Sequence, residues 1–306
     1  MRKSVLIGLA VVLIICLAAI SAQVYANHVI RKQIEKYIAD LPPDVSLDVE
    51  KARYSLIERR ARISGVSFRS SALSGEGLDV IRIDEVVIHR YDTKNTPPHF
   101  AHMEFNSITI PGAFSDGVLL EMERMGLSGD GTKDLKIDAQ SSYRFDPDQR
   151  EFVADRNNLQ IRGLAGAQLG FHLDNIDPAL FQQQADSGMN PFLLIASIGK
   201  VRLVRAEVFL EIGTLADRIF QGLAEKRSLP VEDLKKQLVS IISAEIKDAP
   251  GISEETGKTI LDFIREPGDM RITFTPEKPV SVMEALGMSK QQELLIETLN
   301  IRIQKY

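Results

Sequence analysis

Few residues in this chain have the type and spacing that chemistry requires. His99 and His102 stand three apart with Glu104 just beyond, a donor set of the kind that holds zinc. On a strand, positions i and i+3 face opposite sides, so the two imidazoles converge only on a turn or helix. Pro97-Pro98 directly before them favours two surface histidines after a turn. His172 falls on the polar side of an alternating run and is expected in solvent. Asp130, Asp134 and Asp146-Pro147-Asp148 resemble fragments of a calcium loop but lack its dense alternation of oxygen ligands and its closing glutamate. Ser64-Gly65 and Ser74-Gly75 lack the glycine pattern of a nucleophile elbow. The glycines around Gly163 and Gly166 have no Lys-Ser/Thr and precede a strand, not a helix. The expectation is a protein with no catalytic residue, no metal site and no cofactor. A metal-dependent hydrolase on His99 and His102 stands third among the readings below.

Charge and cysteine usage narrow the class further. The 306 residues carry a formal charge of −5. Arg2 and Lys3 are the only charged residues before position 23, so of 37 basic residues 35 remain downstream against 42 acidic ones, a balance of −7. Such a domain is a poor partner for phosphate backbones, which excludes nucleic acid. The single cysteine, Cys16, lies in an apolar run, so no disulfide forms within one chain. Ile15 before it does not suit lipoprotein processing, which leaves Cys16 as a small apolar side chain in lipid.

That run, Val5 to Ala22, has no charge over eighteen residues, and as a helix it rises about 27 Å, close to the thickness of a bilayer's hydrocarbon. Val5, Leu6, Ile7, Leu9, Val11, Val12, Leu13, Ile14, Ile15, Leu17 and Ile20 would form the lipid-facing anchor. Arg2 and Lys3 at its head favour a cytoplasmic N-terminus, with the chain crossing outward. A cleaved signal peptide is the rival, with Val24-Tyr25-Ala26 as the site, but the run exceeds the usual length of about 7–15 apolar residues. Ile30, Ile34, Tyr37, Ile38 and Leu41 continue at helical spacing until Pro42-Pro43, which suggests a stalk. The organisation expected is a cytoplasmic tail at 1–4, an anchor at 5–22, a helical stalk at 23–43, a β-rich region at 44–174 and an α+β region at 175–306.

The β-rich region is read from alternation. Leu135, Ile137, Ala139, Ser141, Tyr143 and Phe145 alternate with Lys136, Asp138, Gln140, Ser142 and Arg144, giving one apolar face. Ala167, Leu169, Phe171 and Leu173 repeat the pattern. Ile63, Val66 and Phe68 slip by one at Gly65, which suggests a β-bulge. Ile81, Ile83 and Val87, then Phe105, Ile108 and Ile110, mark two more runs. After Asp177, residues 178–185 and 191–197 look like short helices, followed by a strand pair or one bent strand over 201–212. Three helices follow, striped by Leu215, Ile219 and Phe220, by Val231, Leu234, Leu238 and Ile242, and by Ile260, Phe263 and Ile264. Strands return at Met270 to Phe274 and Leu299 to Ile303. The fold class expected is α+β: a transmembrane helix, an antiparallel meander or sandwich, a helical cluster packed at one end, and returning strands. One-faced strands must be covered by another layer, by the helices, or by a ligand; Leu135, Ile137, Tyr143, Phe145, Leu169 and Phe171 would line an apolar groove left open.

The run RITFTPEKPVSVMEALGM followed by LNIRI resembles the closing segment of AsmA-like and related uncharacterised bacterial envelope proteins. VFLEIGTLADRIFQGLAEK before a long amphipathic helix is similar, as are the N-terminal anchor and a strand such as ARISGVSF. The resemblance covers the two ends of the chain better than 100–175. It implies a periplasm-facing protein of the inner membrane, of a class connected with envelope integrity and lipid traffic, and it supplies no catalytic residues. The chain is far too short to bridge the periplasm alone. The expected function is therefore a non-enzymatic, membrane-anchored protein that handles lipid or other envelope components. The second reading is a scaffold that recruits an envelope protein.

Overall fold

The computed structural model describes residues 27–32, 34–36, 38–39, 41, 45–70, 80–95, 98–110, 134–177, 199–248, 253–288 and 291–306. The apolar run at 5–22, the two short helices expected at 178–185 and 191–197, and Asp130 lie outside these residues. Among the described residues no helix is long and apolar enough to cross a membrane.

The described chain is α+β and is built on one antiparallel sheet, which decides for the meander over the sandwich. Seven strands follow one another in space as in sequence: β1 (Val45–Ser55), β2 (Arg60–Ser70), β3 (Ile81–Tyr91), β4 (Phe100–Ile110), β5 (Leu135–Asp146), β6 (Glu151–Ile161) and β7 (Ala165–Asp174). Then come β8 (Arg202–Glu211), β9 (Met270–Phe274) and β11 (Ile301–Lys305), with the two-residue β10 (Val280–Ser281) also pairing with β8. The segment 201–212 is thus one strand, not a pair.

Alternation alone cannot hold an apolar face over so many strands, and one-residue shifts correct it. In β6 the apolar positions pass from Phe152 and Ala154 to Leu159 and Ile161, a change of parity. The register against both β5 and β7 shifts within that stretch, so both groups stay opposite apolar partners. β4 does the same between Phe105 and Ile108, where Ser107 has φ 55°. At Gly65 the outcome differs from the expected bulge. Its φ is +64°, but the register is the same on either side, Val49 opposite Val66 and Lys51 opposite Ser64. Glycine is needed there for the left-handed backbone, and the flexible Glu50 side chain occupies the space of a Cβ.

Helix α1 (27–39) precedes the sheet. Asn27 Oδ1 accepts the Tyr54 amide at 2.7 Å, so the helix begins beside the far end of β1. The expected stalk is therefore docked at its first turn. The C-terminal helices are α2 (Gly213–Lys226), α3 (Val231–Asp248), α4 (Glu254–Arg265), α5 (Val282–Gly287) and α6 (Gln292–Leu299). Ser253 caps α4 by accepting the Thr256 amide at 3.1 Å, and Ser281 with Glu284 forms a capping box on α5.

The core is divided. Ala216, Phe220 and Ile264 close a helical cluster with Val231, Leu238, Ile242, Ile260 and Phe263 around them. A second cluster, Phe145, Ile176 and Val201 with Phe152 and Leu173, sits at the ends of β5 to β8. The helices thus spend much of their apolar surface on one another; their main packing on the sheet is α4 over β11, with smaller contacts of α5 on β10 and α2 on β7.

Candidate functional site

Direct cross-strand partners share a face of the sheet, so the register defines rows of side chains running across the strands. One row is apolar at every step: Ala52, Ile63, Val86, Phe105, Ala139, Leu159, Ala167, Leu210 and Met270. It crosses nine strands, about 38 Å at roughly 4.8 Å per strand. A second row runs Ala101, Tyr143, Ala154, Phe171, Ala206, Phe274 and Ile301. Tyr143 stacks on Phe152 at 5.2 Å, and Phe152 on Phe171 at 5.8 Å, which ties these strands together by their rings. A third joins Val66, Ile83, Ile108, Ile137 and Ile161.

Much of this face is only half-buried. Leu159 and Leu169, neighbours across β6 and β7, are 44% and 40% exposed. Of the residues expected to line a groove, Leu135, Ile137, Tyr143, Leu169 and Phe171 lie on strand positions that are half-buried or exposed. Phe145 is different. It is 4% exposed, packed against Ile176 and Val201, and belongs to a closed cluster.

The alternate side of the central strands is polar. Glu85 accepts from Arg62 and Asn106, each at 3.3 Å. Gln140 accepts from Asn158 at 2.9 Å and reaches His102 at 2.9 Å and Glu104 at 3.4 Å. Asp138 holds Arg162 in a two-pronged pair, both bonds 2.7 Å, and accepts the Ser107 amide at 2.7 Å. The Arg162 guanidinium, then the Ser107 amide, pull the Asp138 carboxyl below its ordinary range against some desolvation.

The histidines are not arranged as their spacing suggests. His99 sits edge-on to Phe145 at 5.9 Å, away from His102. His102 instead stacks on His89, ring centroids 4.4 Å apart and planes 23° from parallel. His89 Nε2 lies 3.0 Å from Glu104 Oε1, close enough for an ion pair but not aligned as a hydrogen bond. Among the described residues, His89, His102 and Glu104 are the group able to approach a metal, their donor atoms within 4.8 Å of one another. A tetrahedral zinc with bonds of about 2.1 Å needs donors about 3.4 Å apart and lone pairs aimed at one point. Nearly parallel rings aim theirs side by side, so this is a polar stack and becomes a chelate only if a ring turns. Burial and the neighbouring His89 push the His102 pKa down, Arg156 and Arg90 add to this, and Glu104 opposes it. Spacing could not reveal His89, because it is brought in by strand pairing.

His172 is not in open solvent as expected: its ring faces Glu151 at 3.5 Å, and its Nε2 is buried without a hydrogen bond among the described residues. Asp146 accepts the amides of Asp148 and Gln149 at 3.0 Å each, an Asx turn.

Residues 158–305 match a sequence family described as "Uncharacterized protein". That stretch runs from within β6 to the last strand. No curated protein matches the chain.

Proposed function

We propose that this is a single-pass protein of the bacterial inner membrane, its N-terminus cytoplasmic and its bulk periplasmic, which binds lipid acyl chains on the apolar face of its sheet and carries out no catalysis. The observation that carries the reading is the unbroken apolar row from Ala52 to Met270, half-exposed at its middle. A water-soluble sheet normally covers such a face with a second layer. Here the packing of helix on sheet, among the described residues, is concentrated at β11, with smaller contacts at β10 and β7. The apolar run at 5–22 and the likeness of both chain ends to AsmA-like envelope proteins support the location and the link to lipid. Mass spectrometry of the full chain purified in detergent tests it. Phospholipid retained near one or a few molecules per chain is expected, and a chain that retains none overturns the lipid reading.

A further inference from the structure

The meander sorts the loops into two ends, and one end is apolar. The β1–β2 turn, the end of β3, the start of β4 and the start of β8 are joined at one end by Ser55 opposite Arg60, Tyr91 opposite Ala101 and Asp174 opposite Arg202. Helices α5 and α6 lie at this end too, since the Val282 amide donates to Val201 O at 3.0 Å and the Thr275 amide to Leu299 O at 3.1 Å. Most of the exposed large apolar side chains gather here: Leu56, Ile57, Met283, Leu286 and Leu294, with Tyr91 and Phe100 between them. Ile57 is 97% exposed at the tip of its turn, where nothing in the fold requires an isoleucine.

The uncharged run reaches the same end. It stops at Ala22, five residues before Asn27, and Asn27 is bonded to Tyr54 beside that turn. Five residues span at most about 17 Å even when fully extended. If the run sits in a bilayer, the Tyr54 end of the sheet cannot stand farther than that from the headgroups.

We infer that this end of the sheet docks on the membrane in which the chain is anchored, with Ile57, Met283 and Leu286 entering the interface and the strands standing up from it. Arg59, exposed beside Ile57 and without an ion-pair partner among the described residues, is placed to meet a lipid phosphate. The opposite end, where β6 turns into β7 and α2 leaves β8 at Gly213, is held about 36 Å away by strands of eleven residues. This inference rests on the anchor reading of 5–22.

The test uses the full chain reconstituted in phosphatidylcholine–phosphatidylglycerol vesicles. Single cysteines carrying an environment-sensitive dye are quenched by spin-labelled lipid. The probes are I57C and L286C on a C16S background, I241C as an equally apolar, 52% exposed position on α3, and the native Cys16 in the unsubstituted chain. Quenching at Ile57 and Leu286 at least twice that at Ile241 is expected. Quenching at Cys16 with Ile57 and Leu286 no higher than Ile241 overturns the docking alone. No quenching at Cys16 overturns the anchor reading and the docking with it.

Discussion

Placing one carboxylate in the middle of the apolar row and a second diagonal to it separates lipid binding from folding. Leu159 and Leu169 are diagonal neighbours on β6 and β7, Leu159 opposite Ala167 and Leu169 opposite Asn157, and each already has close to half its surface in water. Fully burying a leucine is worth about 2–3 kcal/mol, so replacing either by aspartate removes only about 1 kcal/mol of burial. The double variant L159D/L169D should therefore fold, with a urea midpoint only modestly lowered. Its effect on an acyl chain is larger. Sixteen carbons half-buried on the row gain about 6 kcal/mol at about 0.8 kcal/mol per methylene. Two carboxylates under the chain must each lose water without gaining a partner, a cost of several kcal/mol that offsets most of that gain. Co-purifying lipid should fall at least tenfold, read by mass spectrometry against an internal standard, while the far-ultraviolet spectrum is retained. A folded double variant that carries as much lipid as the parent would refute the assignment of this face.

F145A, in the closed cluster with Ile176 and Val201, should cost about 3–4 kcal/mol in urea unfolding, far more than the changes at Leu159 and Leu169. G65A should lose about 1–2 kcal/mol, because alanine resists the +64° backbone; the flexible Glu50 side chain can move aside, so an E50A background should recover only a minor part. Asp92 accepts from the Asn95 side chain at 2.6 Å and from the His99 and Lys94 amides at 3.0 and 2.9 Å, which lowers its pKa from 3.8 to about 2. A carboxyl with a depressed folded pKa contributes fully above its unfolded value and loses that contribution as pH falls. Denaturation curves should thus weaken between pH 4 and 2, and D92N should flatten that dependence. Zinc titration of the full chain should find no stoichiometric ion; one retained by the parent and lost in H102A would show that the stacked rings turn to chelate.

The parts of the fold that could be read from sequence are those with an uninterrupted period. β5 keeps strict alternation from Leu135 to Phe145, and the stripe beginning at Val231 gives α3 its start at that residue. β1 and β6 escaped as individual strands because their apolar positions change parity midway, at Glu50 and Arg156. A parity change looks like a loop until the partner's register is known. The apolar face was foreseen as local pieces, and Phe145 was assigned to it because alternation specifies a side of the strand but not what covers it. His89 and His102 are thirteen residues apart, and their contact depends on a register shift beside Arg90 that no spacing rule contains.

Each strand from β1 to β8 bonds to the one made just before it, and this order bears on how the chain comes to be assembled. A nascent polypeptide threading outward from its N-terminus never has to hold a strand unpaired while awaiting a distant mate. Every new hairpin finds its template already laid down, so the loop-closure entropy lost at each addition stays small. Growth of this kind is a zipper running from β1 to β8, after which the helical cluster is made and β9 and β11 close the sheet's last edge.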